Sequence, residues 1–182
     1  MVQKTGDNLA TGKMKEIYLA GSVPKGDKEQ VNFIDWRVKW SEILLKVFED
    51  AQIIDPYNPN LDEGDFLQVV GQDFGHIKRA SLIVINAEEK IGAGTAMEMV
   101  AAKYFKKPVI TVLPKDTHHR RSNIVFHGKI VKDWIHPFIW VFSDLIVESI
   151  GEVEAIKKKL ETVKVKDISV IDQAINYSAS RK

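Results

Sequence analysis

The chain has 182 residues, with 26 Lys+Arg against 25 Asp+Glu for a formal charge of +1, and 45% of its residues are hydrophobic. That length supports one sizeable core and hardly two, and the near-neutral charge lacks the basic excess with which a general nucleic-acid binder displaces counterions from phosphate. The absence of cysteine excludes disulfides, thiolate metal sites, iron–sulfur clusters and a cysteine nucleophile.

Residues 1–14 mix Thr, Gly, Asn, Asp and Lys without an apolar period, so they lack a signal-peptide core and are expected to form a tail. No later apolar run approaches the ~20 residues of a membrane span, and a cytoplasmic, reducing setting without membrane contact is expected. From residue 15 onward, short apolar runs alternate with stretches of helical period. Segments 17–20, 51–54, 81–86, 108–113 and 144–148 are predicted strands, several of them almost continuously hydrophobic, as strands covered on both faces are. Helices are predicted over 31–50, 66–79, 94–105 and 151–160. This β-α-β-α order implies an α/β fold: an open five-stranded parallel sheet with helices on both faces and right-handed crossovers. In segment 121–141, Ile124, Phe126, Ile130, Trp134 and Ile135 roughly follow a helical period that His136-Pro137 interrupts, and the segment is expected to cover an edge or an interface. Beyond Lys164, residues Ile168, Val170, Ile171, Ala174 and Ile175 share one helical stripe. Residues 164–182 are therefore expected to add a docking helix and tail to a domain over 15–163.

In sheets of this kind ligands sit beyond the carboxyl ends of the strands, where strand order reverses. Segments 21–28, 55–60, 86–95 and 114–123 thus hold the candidates. The most informative stretch runs from Ile85 and Asn86 to Glu98: a strand, a turn containing Gly92 and Gly94, and a helix whose first turn includes Thr95. Glycines there admit close backbone approach, and the free N–H groups of a first helical turn attract an anion or polar oxygen. Gly-x-Gly alone marks a tight turn more often than a cradle. Glu98, however, stands among Ala96, Met97, Met99, Val100 and Ala101, which leave little solvated face, so its carboxylate is expected to enter a cleft. Asp73, on the helix leading into the same strand, is a second acid. Two carboxylates near one strand end suit glycosidic chemistry: one attacks an oxocarbenium-like carbon while the other orients or protonates the departing group.

Three stretches together carry a resemblance: Tyr18-Leu-Ala-Gly21-Ser22 at the first strand, Asp73 with Ile77-Lys78 before Ala80-Ser-Leu-Ile-Val-Ile85, and Gly92-x-Gly94-Thr95-Ala-x-Glu98 before Lys107-Pro-Val109. In this order and spacing the chain resembles nucleoside 2-deoxyribosyltransferases and the related nucleoside-monophosphate N-glycosidases. The resemblance implies a flavodoxin-like fold and a glutamate that attacks C1′ of a nucleoside to give a covalent glycosyl-enzyme, a position Glu98 occupies. Asp73 matches the acid that assists the leaving base or orients the sugar, and Tyr18 lies near the tyrosine that positions the nucleophile in some members. The transferases often carry a further acid shortly before the glutamate. Here that place is near Gly92, with Glu88 and Glu89 earlier. In the monophosphate-cleaving relatives the first loop, the Gly-x-Gly turn and a serine from a neighbouring subunit hold the 5′-phosphate. Gly21, Ser22, Lys25, Gly92 and Gly94, with Asn86 and Thr95, are the matching substrate-binding candidates, and Ser122 matches the serine reached across a dimer interface. The resemblance thus implies an enzyme of nucleotide salvage acting on a nucleoside or its 5′-monophosphate, with a free nucleobase or water as acceptor. It also implies a homo-oligomer with shared active sites, and neither metal nor cofactor.

The remaining conspicuous residues read as structural. Trp36 and Trp40, with Ile43, Leu44 and Val47, suit a core or interface better than a base-stacking platform. His76 reads as a packed or exposed neutral group, and the loop from Asp55 to Asn60 as a rigid turn whose Tyr57 and Asn58 are placed to border a base pocket. Arg37 stands near the first loop, and His118, His119 and Arg120 are expected to be solvated. Two other classes stay open: a nucleotide-sensing module without turnover, which the missing acid near Gly92 supports, and a flavin-binding redox protein, although the first loop lacks a hydroxyl-rich phosphate cradle.

Overall fold

The structure, a computed structural model, describes residues 14–58 and 60–181. The predicted tail, apart from Met14, lies outside them. The strands are β1 (Glu16–Ala20), β2 (Gln52–Ile54), β3 (Leu82–Asn86), β4 (Val109–Val112), β5 (Arg120–Phe126), β6 (Lys129–Ile135) and β7 (Leu145–Val147). The helices are α1 (Gly26–Gln30), α2 (Trp36–Val47), α3 (Phe66–Arg79), α4 (Ala93–Tyr104), α5 (Pro137–Phe142), α6 (Val153–Leu160) and α7 (Val170–Ala179). Five strands pair in parallel in the order β2-β1-β3-β4-β7, the flavodoxin-like order, whose reversal of direction falls between β1 and β3.

Period-two alternation sorts the strands' side chains between two cores. Ile17, Leu19, Leu82, Val84, Ile110 and Val112 face Trp40, Leu44 and Phe48 of the α2 segment and Ile156 and Leu160 of α6. Tyr18, Ala20, Ile83, Ile85 and Val109 face Ile77 of α3, Met99 and Ala102 of α4, and Ile139 and Phe142 of α5. Because both faces are covered, β1 and β3 are buried almost throughout, which explains their continuous hydrophobicity. Asp35 and Asp65 cap α2 and α3, each accepting a backbone N–H at 3.0 Å, from Arg37 and Gln68. Asp35 is the reason the helix predicted from residue 31 begins at Trp36, with the separate short helix α1 before it.

Two expectations need correction. The segment read with a helical period is an antiparallel hairpin, β5 with β6, followed by α5 with Pro137 in its first turn. His127 and Gly128 between the strands have φ of 49° and 76°, the positive pair that a two-residue type I′ hairpin turn requires. The final helix forms as α7, but of its apolar stripe only Val170 is buried, while Ile171 and Ile175 are exposed. No helix among the described residues is long and apolar enough to cross a membrane.

Candidate active site

Strand alternation places Tyr18 on the sheet face covered by α3 and α4, which bring Asp73 and Glu98 to it. Tyr18 is fully buried and its hydroxyl donates to Glu98 Oε1. Glu98 lies in the second turn of α4 and is 7% exposed. Burial pushes its carboxyl up to about 7, and the negative charge of Asp73 adds to the rise, while the Tyr18 hydrogen bond and Arg37 oppose it. Burial likewise lifts Asp73 to about 6 against the pull of Arg37. Tyr18 is raised far above an ordinary phenol by burial and by the charges of Glu98 and Asp73, so it stays a donor. His76 lies 6.3 Å from the Tyr18 ring, ring centre to ring centre, and burial and Arg79 hold it towards the neutral form. The three residues read from sequence as catalytic therefore share one electrostatic cluster.

Arg37, which sequence reasoning left beside the phosphate loop, is 1% exposed and spends its donors on the protein. Nε reaches Leu19 O (3.3 Å) and Asp55 Oδ1 (3.2 Å), Nη1 reaches Ser22 O (3.2 Å) and Asp35 Oδ1 (3.4 Å), and Nη2 reaches Gly21 O (3.1 Å). The guanidinium is thus a clamp that fixes the chain leaving β1. Its signal was readable: Arg37, Trp40 and Leu44 fall on one helical face, and the latter two are core. Gly21 has a packing reason, since a Cβ there would stand 2.6 Å from Trp36 Cζ2 and 3.1 Å from Asn86 Cβ.

Beyond the ends of β1 and β3 opens a hollow of about 430 Å³. Ser22, Val23, Pro24, Glu29, Phe33, Ile34, Trp36, Asn86 and the run Glu88, Glu89, Lys90 line it, whereas Tyr18, Asp73 and Glu98 do not. Trp40 is core as expected, but Trp36 belongs to this wall. Asn86 Oδ1 accepts from Glu88 N (3.0 Å), which leaves the amide NH₂ to donate. Lys25 is exposed, and its backbone N–H is taken by Glu29 Oε2 (2.8 Å).

Gly92 is the N-cap of α4 and brings no side-chain cap, so first-turn donors are open at Gly92 to Thr95, where Thr95 itself is buried. A Cβ on Gly92 or Gly94 would meet nothing within 4 Å, so packing within the chain does not demand glycine there. The residue just before this turn, Ile91, donates its N–H to His119 Nε2 (3.1 Å). His119 and Arg120 are buried rather than solvated as expected, and His118 alone of the three is exposed. Arg120 makes a bidentate pair with Asp133 (2.8 and 2.7 Å) and donates to Leu113 O (3.1 Å). Ser122 stands in β5, its N–H on Asp116 Oδ1 (2.9 Å), on the hairpin and not at the strand ends. Among the described residues no group of three His, Asp or Glu could hold a metal ion.

No protein-family model matches the sequence, and no curated protein matches it. The fold is similar to that of a 2-deoxyribosyltransferase from Leishmania mexicana, with a TM-score of 0.53 and 14% identity over 81% of this chain and 98% of that one. It is also similar to a 2-deoxyribosyltransferase from Bacillus psychrosaccharolyticus, with a TM-score of 0.52 and 21% identity over 82% of this chain and 98% of that one. A CMP N-glycosidase from Clostridium botulinum aligns with a TM-score of 0.43 and 18% identity over 79% and 99% of the two chains. The first two likenesses establish the shared fold.

Proposed function

We propose that the protein cleaves the N-glycosidic bond of a nucleoside through a covalent glycosyl-glutamate at Glu98. The observation that carries this reading is a buried carboxylate held by a tyrosine hydroxyl, with a second acid of raised pKa on the adjoining helix. Tyr18 occupies one oxygen of Glu98 and leaves the other to attack C1′. The C1′–N bond then breaks, its electron pair goes to the base, and the proton on Asp73 accompanies the departing base. A second base or water then attacks C1′ from the opposite side, giving its proton to the Asp73 carboxylate as the C1′–O bond breaks and returns its electron pair to Glu98, so the two displacements retain configuration at C1′. These roles need an ionised Glu98 beside a protonated Asp73, one of the two singly protonated forms of the pair.

The hollow suits the nucleobase: Phe33, Ile34 and Trp36 give it apolar walls, and the Asn86 NH₂ is placed to meet a ring carbonyl. An unphosphorylated nucleoside fits better than a 5′-monophosphate. Arg37 is spent on the first loop, the Lys25 N–H already holds a carboxylate, and among the described residues lining the hollow Glu29, Glu88 and Glu89 outnumber Lys90. Transfer of a 2-deoxyribosyl group to a second base is the favoured outcome, in keeping with the two 2-deoxyribosyltransferases of like fold, and hydrolysis competes where no base is bound. A homo-oligomer belongs to the same reading: beside Ser122 the hairpin leaves Val125, Phe126 and Ile130 exposed, an apolar edge for a second copy.

The test incubates wild type and Glu98→Ala with deoxynucleosides and their 5′-monophosphates, with and without a free acceptor base, and resolves the products. Wild type should exchange or release base from nucleosides, and the variant should lose this activity by roughly 10³-fold or more. Unchanged turnover in Glu98→Ala removes the nucleophile, and equal use of monophosphates removes the argument from the carboxylate-lined hollow.

A further inference from the structure

We propose that His119 is a positioning residue for the candidate active site: its neutral imidazole accepts the Ile91 N–H and so sets how the Gly92 turn enters α4, the helix that carries Glu98. The part of this inference that concerns Glu98 rests on the glycosidic reading above.

The loop from β3 to α4 is pinned near its start by the Asn86 side chain, which accepts from Glu88 N, and by Ala87 N on Val112 O (3.0 Å). Its end is held by a side chain 28 residues away, His119 Nε2 on Ile91 N (3.1 Å). The following residue, Gly92, caps α4 with backbone alone. A helix N-terminus without a side-chain cap lacks one of its usual local fixings, so a side chain that holds the residue before the cap bears on how the chain enters the helix. His119 is itself immobilised from both sides. Its carbonyl accepts from His136 N (2.8 Å) at the end of β6, and Arg120 beside it is locked to Asp133 and Leu113 O. The hairpin, which the glycosidic chemistry leaves without a part within one chain, thereby becomes the mount for this contact.

The chemistry fixes the tautomer. An Nε2 that accepts must be unprotonated, so the single proton of the neutral ring sits on Nδ1, which is buried and has no hydrogen-bond partner. Burial, the exposed His118, His136 and the Lys90 ammonium all disfavour the cation, which would also turn the acceptor into a donor facing Ile91 N–H.

The experiment compares wild type with His119→Gln, whose amide oxygen restores an acceptor near the place of Nε2, and His119→Phe, which fills the space without one. Three readouts are taken on the full chain: amide exchange at Ile91, amide exchange in β5 and β6 as a check that the hairpin stays formed, and ¹⁵N shifts of the wild-type imidazole. The expected results are the Nδ1–H tautomer in wild type, and in His119→Phe an Ile91 amide exchanging about tenfold faster over an unchanged hairpin. His119→Gln should return exchange to the wild-type range, and base release should follow the same order, falling about tenfold in Phe and recovering in Gln. An Nε2–H tautomer, equal protection of Ile91 in all three proteins, or a Gln variant as exposed as Phe would overturn the inference. If wild type releases no base, the glycosidic reading fails by itself, and the Ile91 exchange pattern still decides whether His119 holds the turn.

Discussion

Replacing Tyr18 with phenylalanine tests the electrostatics of the candidate site directly, because it deletes one hydroxyl from a buried position and little else. That hydroxyl donates to Glu98 and is the largest influence holding its pKa down against burial. A hydrogen bond to a charged group contributes roughly 1.5–3 kcal/mol, and 1.36 kcal/mol moves a pKa by one, so Glu98 should climb from about 7 to roughly 8–9. At pH 7 its ionised share then drops from about half to roughly 1–10%, which predicts a loss of about 5- to 50-fold in kcat/KM. Raising the pH re-ionises Glu98 in the variant, so the deficit should shrink to within about twofold by pH 9. The assay is base release across pH 5–9 for both proteins, with circular dichroism confirming that each stays folded. A deficit that does not change with pH, or no deficit, would refute the reasoning.

Other perturbations follow from the same contacts. Glu98 is raised in the folded chain from an ordinary 4.5 to about 7, so the stability that its protonated form confers is present below 4.5 and lost as pH rises through 7. Glu98→Gln should therefore be more stable than wild type by up to about 3 kcal/mol above pH 7 and no more stable below pH 4.5, as thermal melts at pH 8 and pH 4 would show. Lys103 and Asp144 form a fully buried ion pair, and Asp144 also accepts from Val109 N (2.7 Å) and Lys166 N (2.8 Å). Asp144→Ala should destabilise by about 3–5 kcal/mol in denaturant unfolding, since it strands a buried ammonium. Gly21→Ala should cost about 1–3 kcal/mol through collision with Trp36, whereas Gly92→Ala, which meets open space, should leave stability within about 1 kcal/mol and weaken nucleoside binding instead. Equal stability losses at the two glycines would contradict the contrast.

The sheet was legible because its strands are sandwiched: Leu82 to Ile85 and Val109 to Val112 admit no polar residue but Thr111, and α3 runs from Phe66 to Arg79, the limits its period indicates. The order β2-β1-β3-β4-β7 does not follow from the sequence elements alone, though the reversal it creates puts Ser22 and Asn86 at one hollow. The hairpin was misread because Ile124, Phe126, Ile130, Trp134 and Ile135 satisfy a helical spacing by coincidence. His127-Gly128, the turn signal, outweighs it once positive φ at both residues is considered. At the site, Glu98 stood out because an acid is rare among apolar helix neighbours, and Asp73 because its helix leads into the same strand. Arg37 shows its burial by sharing a helical face with Trp40 and Leu44 but not which carbonyls it holds, and His119 shows neither, since its partner N–H lies 28 residues away and such pairing leaves no local pattern.

The covalent step is tested most directly by mass spectrometry of the intact protein mixed with a nucleoside whose sugar bears fluorine at C2′, a substitution that destabilises the oxocarbenium-like transition state and slows release of the sugar from the enzyme. The account predicts a stoichiometric gain in mass equal to the fluorinated glycosyl group, located by peptide mapping on Glu98 and absent from Glu98→Ala. Base release without any adduct, or an adduct mapped to another residue, would contradict it.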